Sequence, residues 1–295
     1  GFMARSTTQS KATMVKSRDR ATSSVAARRT VLKRISDEGV EHVLFWFTDL
    51  EGHLKSFAIT PSEMGEALND GMGFDGSSIT GFNAIEESDM VAIPDPASFQ
   101  LMPRPPDEHG HAIGANVARM MCDVVTPDGA PYEGDPRYVL RRALGRMQGM
   151  GFDAFNVGPE LEYFLFEDDK GTETIDEGGY FAMTAQDAAT EVRNDTIHAL
   201  EAVGIPIEYH PHEVGPSQHE LDMRSAGALE MADHTMTYRL IVKEVATWHG
   251  YYATFMPKPL FGENGSGMHT HMSLFSEGRN AFFDGDDEHH LSADG

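Results

Sequence analysis

Alternation of hydrophobic and polar residues predicts most of the strands in this chain. A period of two, or a short apolar run bounded by turn residues, is typical of a strand. In the first half of the chain the segments with this pattern are 43–48, 55–60 and 117–125. In the second half they are 154–166, two segments that flank Gly215 and Pro216, 252–256 and 268–275.

Helical periodicity and its boundary residues fill the intervals between the strands. The predicted helices are 25–38, 61–70, 136–150, 185–203 and 226–250. Glycines in residues 71–81 predict a loop, and five prolines in residues 93–106 predict extended chain. Helices and strands do not follow the even rhythm of a doubly wound sheet, so the predicted fold class is α+β.

The predicted organisation is a tail followed by two domains. A chain of 295 residues is expected to form about two domains. Residues 1–24 are basic and contain few large apolar side chains, which predicts a disordered tail. The turn at residues 126–129, Thr-Pro-Asp-Gly, separates a domain at 25–125 from one at 126–295.

Composition excludes several classes of protein. The longest apolar run, residues 43–47, is far shorter than the about 20 residues that span a bilayer. Cys122 is the one cysteine of the sequence, which excludes a disulfide scaffold and a thiolate zinc site. We therefore expect a cytoplasmic protein without a membrane partner.

The chain is strongly acidic, and its charge is unevenly distributed. It has 23 Lys and Arg residues against 47 Asp and Glu residues, a net charge of −24. Nine of the basic residues lie within the first 34 residues, which contain one acid. The acidic remainder repels nucleic acid, so no nucleic-acid partner is expected, and metal cations are the natural intermediaries for an anionic substrate.

Two glutamates in the predicted strand 154–166 form the first candidate site. Glu160 and Glu162 are two residues apart, so both carboxylates face the same side of the strand. Among neighbours such as Leu161 and Phe164, they are costly to bury unless a positive group lies between them. A solvated strand face is the alternative explanation for this pair.

A predicted hairpin around residues 215–218 adds a second pair of acids. If these four residues form the loop, Val214 faces His219 and Glu213 faces Glu220. Like charges directly opposed across a strand pair are destabilising, and a divalent cation between them would reverse that effect. An exposed hairpin at the rim of the sheet is the structural alternative.

The segment that leads into the last predicted strand adds imidazoles. Gly265 and Gly267 would let the backbone approach a ligand closely. His269, His271 and Ser273 share one face of the strand. Carboxylates combined with an imidazole suit Mg²⁺ or Mn²⁺, which prefer mainly oxygen ligands.

The fourth candidate is the glycine-rich segment 73–82, Gly-Phe-Asp-Gly-Ser-Ser-Ile-Thr-Gly-Phe, which contains Asp75. It is not a Walker phosphate-binding loop, because no Gly-Lys-Ser/Thr follows. Taken alone, it predicts a turn.

Together, in this order, the four segments resemble the glutamine synthetase family. Such proteins pair a Phe-Asp-Gly-Ser-Ser loop with a Glu-x-Glu strand, a Glu-Val-Gly-Pro-x-Gln-His-Glu hairpin and an Asn-Gly-Ser-Gly-Met-His-x-His segment. The resemblance runs from about Val31 to the last residue and includes residues 86–90 and 255–259.

The resemblance implies a small β-grasp N-terminal domain and a larger catalytic domain built on an antiparallel curved sheet. In the family, ATP phosphorylates the γ-carboxylate of glutamate and ammonia then displaces phosphate, at a two-metal site between adjacent subunits. The implied partners are glutamate, ammonium, ATP and further copies of the chain, in a dodecamer of two hexameric rings.

The resemblance also implies which residues hold the metals, Mg²⁺ or Mn²⁺. Glu162, Glu213 and Glu220 would hold one divalent ion. Glu160 and His269 would hold the second.

The substrate-binding residues follow from the same resemblance. Asn264 and Gly265 would contact glutamate. Glu208, His271 and Ser273 would contact ATP.

Asp75, delivered from the neighbouring subunit, would bind ammonium and take its proton. A γ-glutamyl ligase for another amine, such as a polyamine or ethanolamine, remains an alternative, as does a catalytically silent relative with a structural or regulatory role. The five candidate metal ligands argue against the silent relative. The family's later glutamate and arginines have no match here, so we expect the chain to be C-terminally incomplete and inactive alone.

Overall fold

The computed structural model describes residues 25–80, 89–183 and 187–293. The predicted tail, residues 1–24, lies outside the described residues. The chain divides into two compact units. The first comprises the described residues of Gly1–Met102 and Ala115–Tyr138, and the second those of Pro103–Gly114 and Val139–Gly295.

The first unit is built on a six-stranded sheet. Its strands are β1 (His42–Thr48), β2 (Leu54–Ile59), β3 (Met72–Asp75), β4 (Asp89–Pro94), β5 (Gln100–Leu101) and β6 (Val117–Val125). The order is β2-β1-β6-β4-β3, β5 also pairs with β6, and the β1–β6 pair is parallel. The helices of this unit are α1 (25–37), α2 (Met64–Asp70) and the single turn α3 (Ser77–Thr80).

Helices α1 and α2 cover an apolar core on one face of this sheet. Val31 and Ile35 of α1 and Met64 of α2 are buried with Phe45 of β1 and Met120 of β6. Burial of such side chains is the main favourable term in folding, and here it joins the two helices to the central strands.

The prediction of a loop over residues 71–81 is wrong for the part that the structure describes. Residues Met72–Asp75 form β3, which pairs antiparallel with β4. Gly71 makes this possible, because its φ of 78° reverses the chain after α2. A Cβ at Gly71 would also lie 2.6 Å from a side-chain carbon of Val91 in β4. The glycine therefore provides the entry to a strand.

The second unit is built on a seven-stranded antiparallel sheet. Its strands are β7 (Ala154–Phe166), β8 (Ile207–Tyr209), β9 (Gln218–Met223), β10 (Ala226–Gly227), β11 (Tyr252–Thr254), β12 (Met268–Ser276) and β13 (Arg279–Asn280). The order is β13-β12-β7-β9-β8, and β10 and β11 also pair with β7. The helices are α4 (Pro136–Gly149), which begins in the first unit, α5 (Thr190–Ala202) and α6 (Ala228–Trp248).

Strand β7 has one face in the core of the second unit. Leu161, Tyr163 and Leu165 are buried there with Leu200 of α5 and Ile241 of α6. Because side chains alternate along a strand, Glu160 and Glu162 lie on the opposite face. The mixture of helices and sheets confirms the α+β prediction.

Helix α5 begins later than the predicted helix 185–203. It starts at Thr190, because the Asp187 carboxylate accepts hydrogen bonds from Ala189 N and Thr190 Oγ1 and ends the preceding loop there. The other helix and long-strand boundaries agree with prediction to within a few residues. Among the described residues, no helix combines the length and the apolar character needed to cross a membrane.

Candidate active site

The pairing of β7 with β9 places acidic residues directly opposite one another. Glu160 pairs with Asp222 and Glu162 with Glu220 in this antiparallel register. Gln218, Glu220 and Asp222 alternate along β9, so all three share the face of the sheet that carries the β7 glutamates. Like charges in this arrangement repel one another.

Glu220 is the most buried acid of this group. It is 7% exposed. Burial raises its pKa well above the usual range of a glutamate, and hydrogen bonds and repulsion from Asp222 and Glu213 raise it further. Two carboxyl groups share a hydrogen bond when one of them holds a proton. A proton therefore supplies the positive charge that the cluster needs in the absence of a cation.

The predicted register of the hairpin is wrong. Instead of opposing Glu220, Glu213 donates its backbone N–H to the carbonyl of Gln218, and His212 pairs with His219. The turn closes there because the Gln218 side-chain oxygen accepts the N–H of Gly215 at 3.0 Å. In place of the predicted strand, residues 210–214 make a single isolated bridge, at His212.

Glu213 nevertheless belongs to the acidic face. It is a diagonal neighbour of Glu220 in the observed register, and it hydrogen-bonds Glu220. Burial raises the pKa of Glu162, and repulsion from Glu213 contributes to the shift. The structure thus brings Glu160, Glu162, Glu213 and Glu220 together, although the hairpin register differs from prediction.

Strand β12 pairs with the edge of β7 that β9 does not occupy, and it adds two imidazoles to the acidic face. His269 pairs with Glu160, and its Nδ1 lies 3.2 Å from a Glu160 carboxylate oxygen. His271 Nε2 contacts the second oxygen of the same carboxylate. Ser273 follows on the same face, opposite Asn156. Predicted ligands from separate parts of the chain therefore meet at Glu160.

The glycine-containing segment before β12 is held against the acidic face. The Gln218 amide donates to a Glu162 carboxylate oxygen at 2.8 Å and to the carbonyl of Gly265 at 3.0 Å. A Cβ at Gly265 would lie 2.6 Å from the carbonyl oxygen of Pro257, and one at Gly267 would lie 3.2 Å from Glu162 Oε1. The approach at Gly265 requires glycine because it is to backbone, whereas a side chain at Gly267 would require the Glu162 carboxylate to shift slightly.

The donor set of this face fits a divalent cation. In the described part of the chain, the ion pairs made by Glu160 are with His269 and His271, and no Lys or Arg pairs with Glu162 or Glu220. One carboxylate oxygen of Asp222 is buried without a hydrogen-bond partner. Several carboxylates with an exposed imidazole match the ligand preference of Mg²⁺ and Mn²⁺.

The remaining predicted residues lie at the border of this face or in the other unit. Asn264 is exposed beside Gly265, and Glu208 is exposed on β8, near enough to Asp222 to contribute to its raised pKa after burial and Glu160. Asp75 is exposed at the end of β3 in the first unit. Hydrogen bonds from Ser77 lower its pKa, so it is an anion at neutral pH.

Comparison with family profiles shows which protein family the chain belongs to. The profile described as "Glutamine synthetase, catalytic domain" matches residues 133–295. The profile described as "Glutamine synthetase, beta-Grasp domain" matches residues 39–127. The chain belongs to the glutamine synthetase family. The predicted β-grasp domain and the identification of the family are thereby confirmed.

Relatives in this family have high sequence identity to the chain. The glutamine synthetase of Methanosarcina mazei is 48% identical over 271 residues, which cover 90% of this chain and 59% of the relative. That of Thermus thermophilus is 46% identical over 266 residues, which cover 89% of this chain and 59% of the relative. The chain thus spans about 59% of the length of these relatives.

Two solved structures have the same fold as this chain. A cryo-EM structure of Plasmodium falciparum glutamine synthetase matches with a TM-score of 0.79 and 26% identity, over 90% of this chain and 57% of that one. An apo structure of GmaS matches with a TM-score of 0.78 and 29% identity, over 88% of this chain and 60% of that one.

Several polar residues of this glutamine synthetase fold were not among the predicted site residues. Gln218 and Asp222 lie two residues before and after Glu220, so strand alternation alone could have placed them on the acidic face. Asp176, His212 and His219 form a further group whose possible ligand atoms lie within 4.8 Å of one another. Asp176 lies in a loop, and no sequence pattern indicates its position.

Proposed function

We propose that the protein to which this chain belongs forms glutamine from glutamate and ammonium with ATP as the co-substrate. The observation that carries the proposal is the acidic face, where four glutamates and His269 converge from four parts of the chain. The relatives from Methanosarcina mazei and Thermus thermophilus, which carry the name glutamine synthetase, support it.

Two divalent ions, Mg²⁺ or Mn²⁺, belong to this proposal. Glu162, Glu213 and Glu220 would hold one ion, and Glu160 with His269 would hold the other. Such ions, when bound, neutralise phosphate charge and orient the reacting groups. Without them, the protein's own carboxylates would repel ATP and glutamate.

The segment 264–273 would bind the substrates. Asn264 and Gly265 would orient glutamate, since Gln218 fixes the Gly265 carbonyl relative to Glu162. His271 and Ser273, on the metal-facing side of β12, would contact ATP together with Glu208. Rigid placement by the sheet favours transfer because phosphoryl transfer depends mainly on positioning and electrostatics.

Asp75 would act on the second substrate. Its carboxylate is exposed and anionic, which favours attraction of an ammonium cation. It would accept one proton from ammonium, and the resulting ammonia would attack the γ-glutamyl phosphate and release phosphate. In the proposed ring of subunits, two stacked hexamers in the cytoplasm, Asp75 would serve the site of a neighbouring copy.

The experiment measures γ-glutamyl product formation with Mg²⁺, ATP, glutamate and either ammonium, putrescine or ethanolamine. The chain is assayed alone and fused to the part of the Methanosarcina mazei relative that it does not cover. We expect the fusion to be active with ammonium, Asp75→Asn to depress turnover with ATP binding retained, and the chain alone to be inactive. Greater activity with another amine would overturn the ammonium assignment.

A further inference from the structure

A buried ion pair lies on the core side of the sheet, beneath the acidic face. Arg193 of α5 pairs with Asp187 through both of its terminal nitrogens, and the two side chains are 5% and 2% exposed. Arg193 Nη1 also lies 2.9 Å from His219 Nδ1. The guanidinium thus joins α5 and the loop before it to β9.

The contact with Arg193 fixes which nitrogen of the His219 ring carries the proton. Because a guanidinium only donates, His219 Nδ1 is the acceptor and carries no proton. Its Nε2 therefore bears the ring proton and has no lone pair for a metal. Burial and the Arg193 charge lower the pKa of His219, in agreement with a neutral ring.

A second set of hydrogen bonds fixes the other side of the hairpin, residues 212–217. The ring nitrogens of His212 contact the Glu213 carbonyl at 2.6 Å and Asp176 at 3.0 Å. Asp176 also accepts the Ser217 N–H at 2.9 Å. Both His212 nitrogens face oxygen acceptors, so the group of Asp176, His212 and His219 is a hydrogen-bond network and a poor cation site.

This network lies next to two proposed metal ligands in sequence. His219 precedes Glu220 and His212 precedes Glu213, and side chains of adjacent residues in extended chain point to opposite faces. The rings of His212 and His219 meet edge to face with centroids 4.8 Å apart. A displacement of these rings would displace the carboxylates on the opposite face.

We propose that Arg193 is a positioning residue for the divalent cations, which holds His219 and thereby sets the positions of Glu220 and, through His212, of Glu213. This inference rests on the proposed function. It means that a residue on the opposite face of the sheet sets the geometry of the metal-binding carboxylates. Groups that hydrogen-bond a metal ligand directly typically contribute about 10- to 100-fold to metal affinity, and Arg193, which acts through His219 and the backbone, is expected at the lower end of that range.

The test titrates the 295-residue chain with Mn²⁺ and follows free Mn²⁺ by electron paramagnetic resonance. Arg193→Lys keeps the charge but cannot bond Asp187 twice and His219 at once. We expect about 10-fold weaker binding, the lower end of the range for groups that contact a metal ligand directly. Asp187→Asn, which leaves Arg193 in place but loosens it, should weaken binding to a smaller extent.

A matched control separates positioning from general stability. Arg137 of α4 is also a buried arginine, 8% exposed, that pairs with two aspartates, Asp95 and Asp123, in the first unit. Both Arg137→Lys and Arg193→Lys should lower the melting temperature, yet Arg137→Lys should leave the Mn²⁺ affinity nearly unchanged. Equal weakening of binding by both variants would overturn the inference.

A double mutant tests whether Arg193 acts through Glu220. In a Glu220→Gln background, where the ligand is already lost, Arg193→Lys should weaken Mn²⁺ binding much less than it does in the unmodified chain. Full additivity would contradict the proposed route. Unchanged affinity in Arg193→Lys, with weakened affinity in Glu220→Gln, would overturn this inference alone, whereas failure of the unmodified chain to bind Mn²⁺ would overturn the proposed cation site as well.

Discussion

The central strands of the two sheets, β6 and β7, carry charged residues in contrasting ways. On β6, Asp123 pairs with Arg137, and Arg119 lies over the ring of Trp46 at 5.4 Å. On β7, Glu160 and Glu162 face further acids across the strand pair. Strand β6 pairs its charged side chains with an opposite charge or an aromatic ring, whereas β7 places its carboxylates beside other carboxylates.

The contrast teaches how to separate structural from functional charge. A buried charge that serves the fold is paired, since an unpaired one costs several kcal/mol. The acids on β7 contact histidines and other carboxyl groups, so their oxygens remain available to bind a cation. The same strand buries Leu161, Tyr163 and Leu165 on its other face, so stability and chemistry are divided between its two sides.

The largest expected effect on stability comes from the apolar face of β7. Leu165→Ala removes a fully buried side chain, and such changes cost about 2–5 kcal/mol because a cavity remains. Urea denaturation of both proteins measures the loss. A loss below about 1 kcal/mol would show that this face does not carry the stability of the strand.

A somewhat smaller loss is expected from the charge pairing of β6. Arg137→Met leaves Asp95 and Asp123 without their guanidinium, and both carboxylates are about a quarter exposed, which moderates the penalty. We expect about 2–3 kcal/mol, near the lower end for a broken buried pair, from the same denaturation experiment. If Arg137→Met were neutral, the pairing of charges on β6 would not be the stabilising feature that separates it from β7.

Asp176 beneath the hairpin gives a pH-dependent effect. Burial would raise its pKa, but hydrogen bonds from His212 and Ser217 outweigh burial and lower the pKa well below the usual value. A lowered folded-state pKa contributes stability above the unfolded pKa of about 4, and this contribution is lost as the pH falls further.

The expected cost of Asp176→Asn is therefore about 1–3 kcal/mol at pH 7. The difference in unfolding free energy from the unmodified chain should shrink as the pH falls below about 4. A difference that stays constant from pH 7 to pH 3 would contradict the assignment of the charge.

The smallest effect on stability is expected at Glu220. In the metal-free protein its raised pKa keeps a proton on the carboxyl, and the amide of Glu220→Gln can donate a hydrogen bond in its place. Because a neutral amide then replaces a neutral carboxyl, we expect denaturation without metal to show a change in unfolding free energy below about 1 kcal/mol. A larger loss would make Glu220 a structural residue.

Strand periodicity predicted the shared face of two glutamates, whereas the convergence of Glu213 and Glu220 with Glu162 was implied by the family resemblance. The extent of β7 and the shared face of Glu160 and Glu162 follow from alternation alone. The register at Glu213 depends on the Gln218 side chain and on Asp176, which comes from a distant loop, so no local pattern contains it.

Two other elements, β3 and α5, differ from prediction for physical reasons that the composition of their segments does not show. The glycine-rich segment after α2 reads as a loop, yet Gly71 starts β3 because a glycine there avoids the side chain of Val91. Asp187 delays the start of α5 because its carboxylate bonds Ala189 and Thr190, and it also pairs with Arg193.

Mn²⁺ titration tests most directly whether the like charges on β7 and β9 form a cation site. The unmodified chain, Glu220→Gln and the control Glu201→Gln, an exposed acid on α5, are compared at pH 7 in the same buffer. We predict saturable binding by the unmodified chain and the control, with at least about tenfold weaker binding by Glu220→Gln. Equal binding by all three proteins, or no binding by the unmodified chain, would contradict the account.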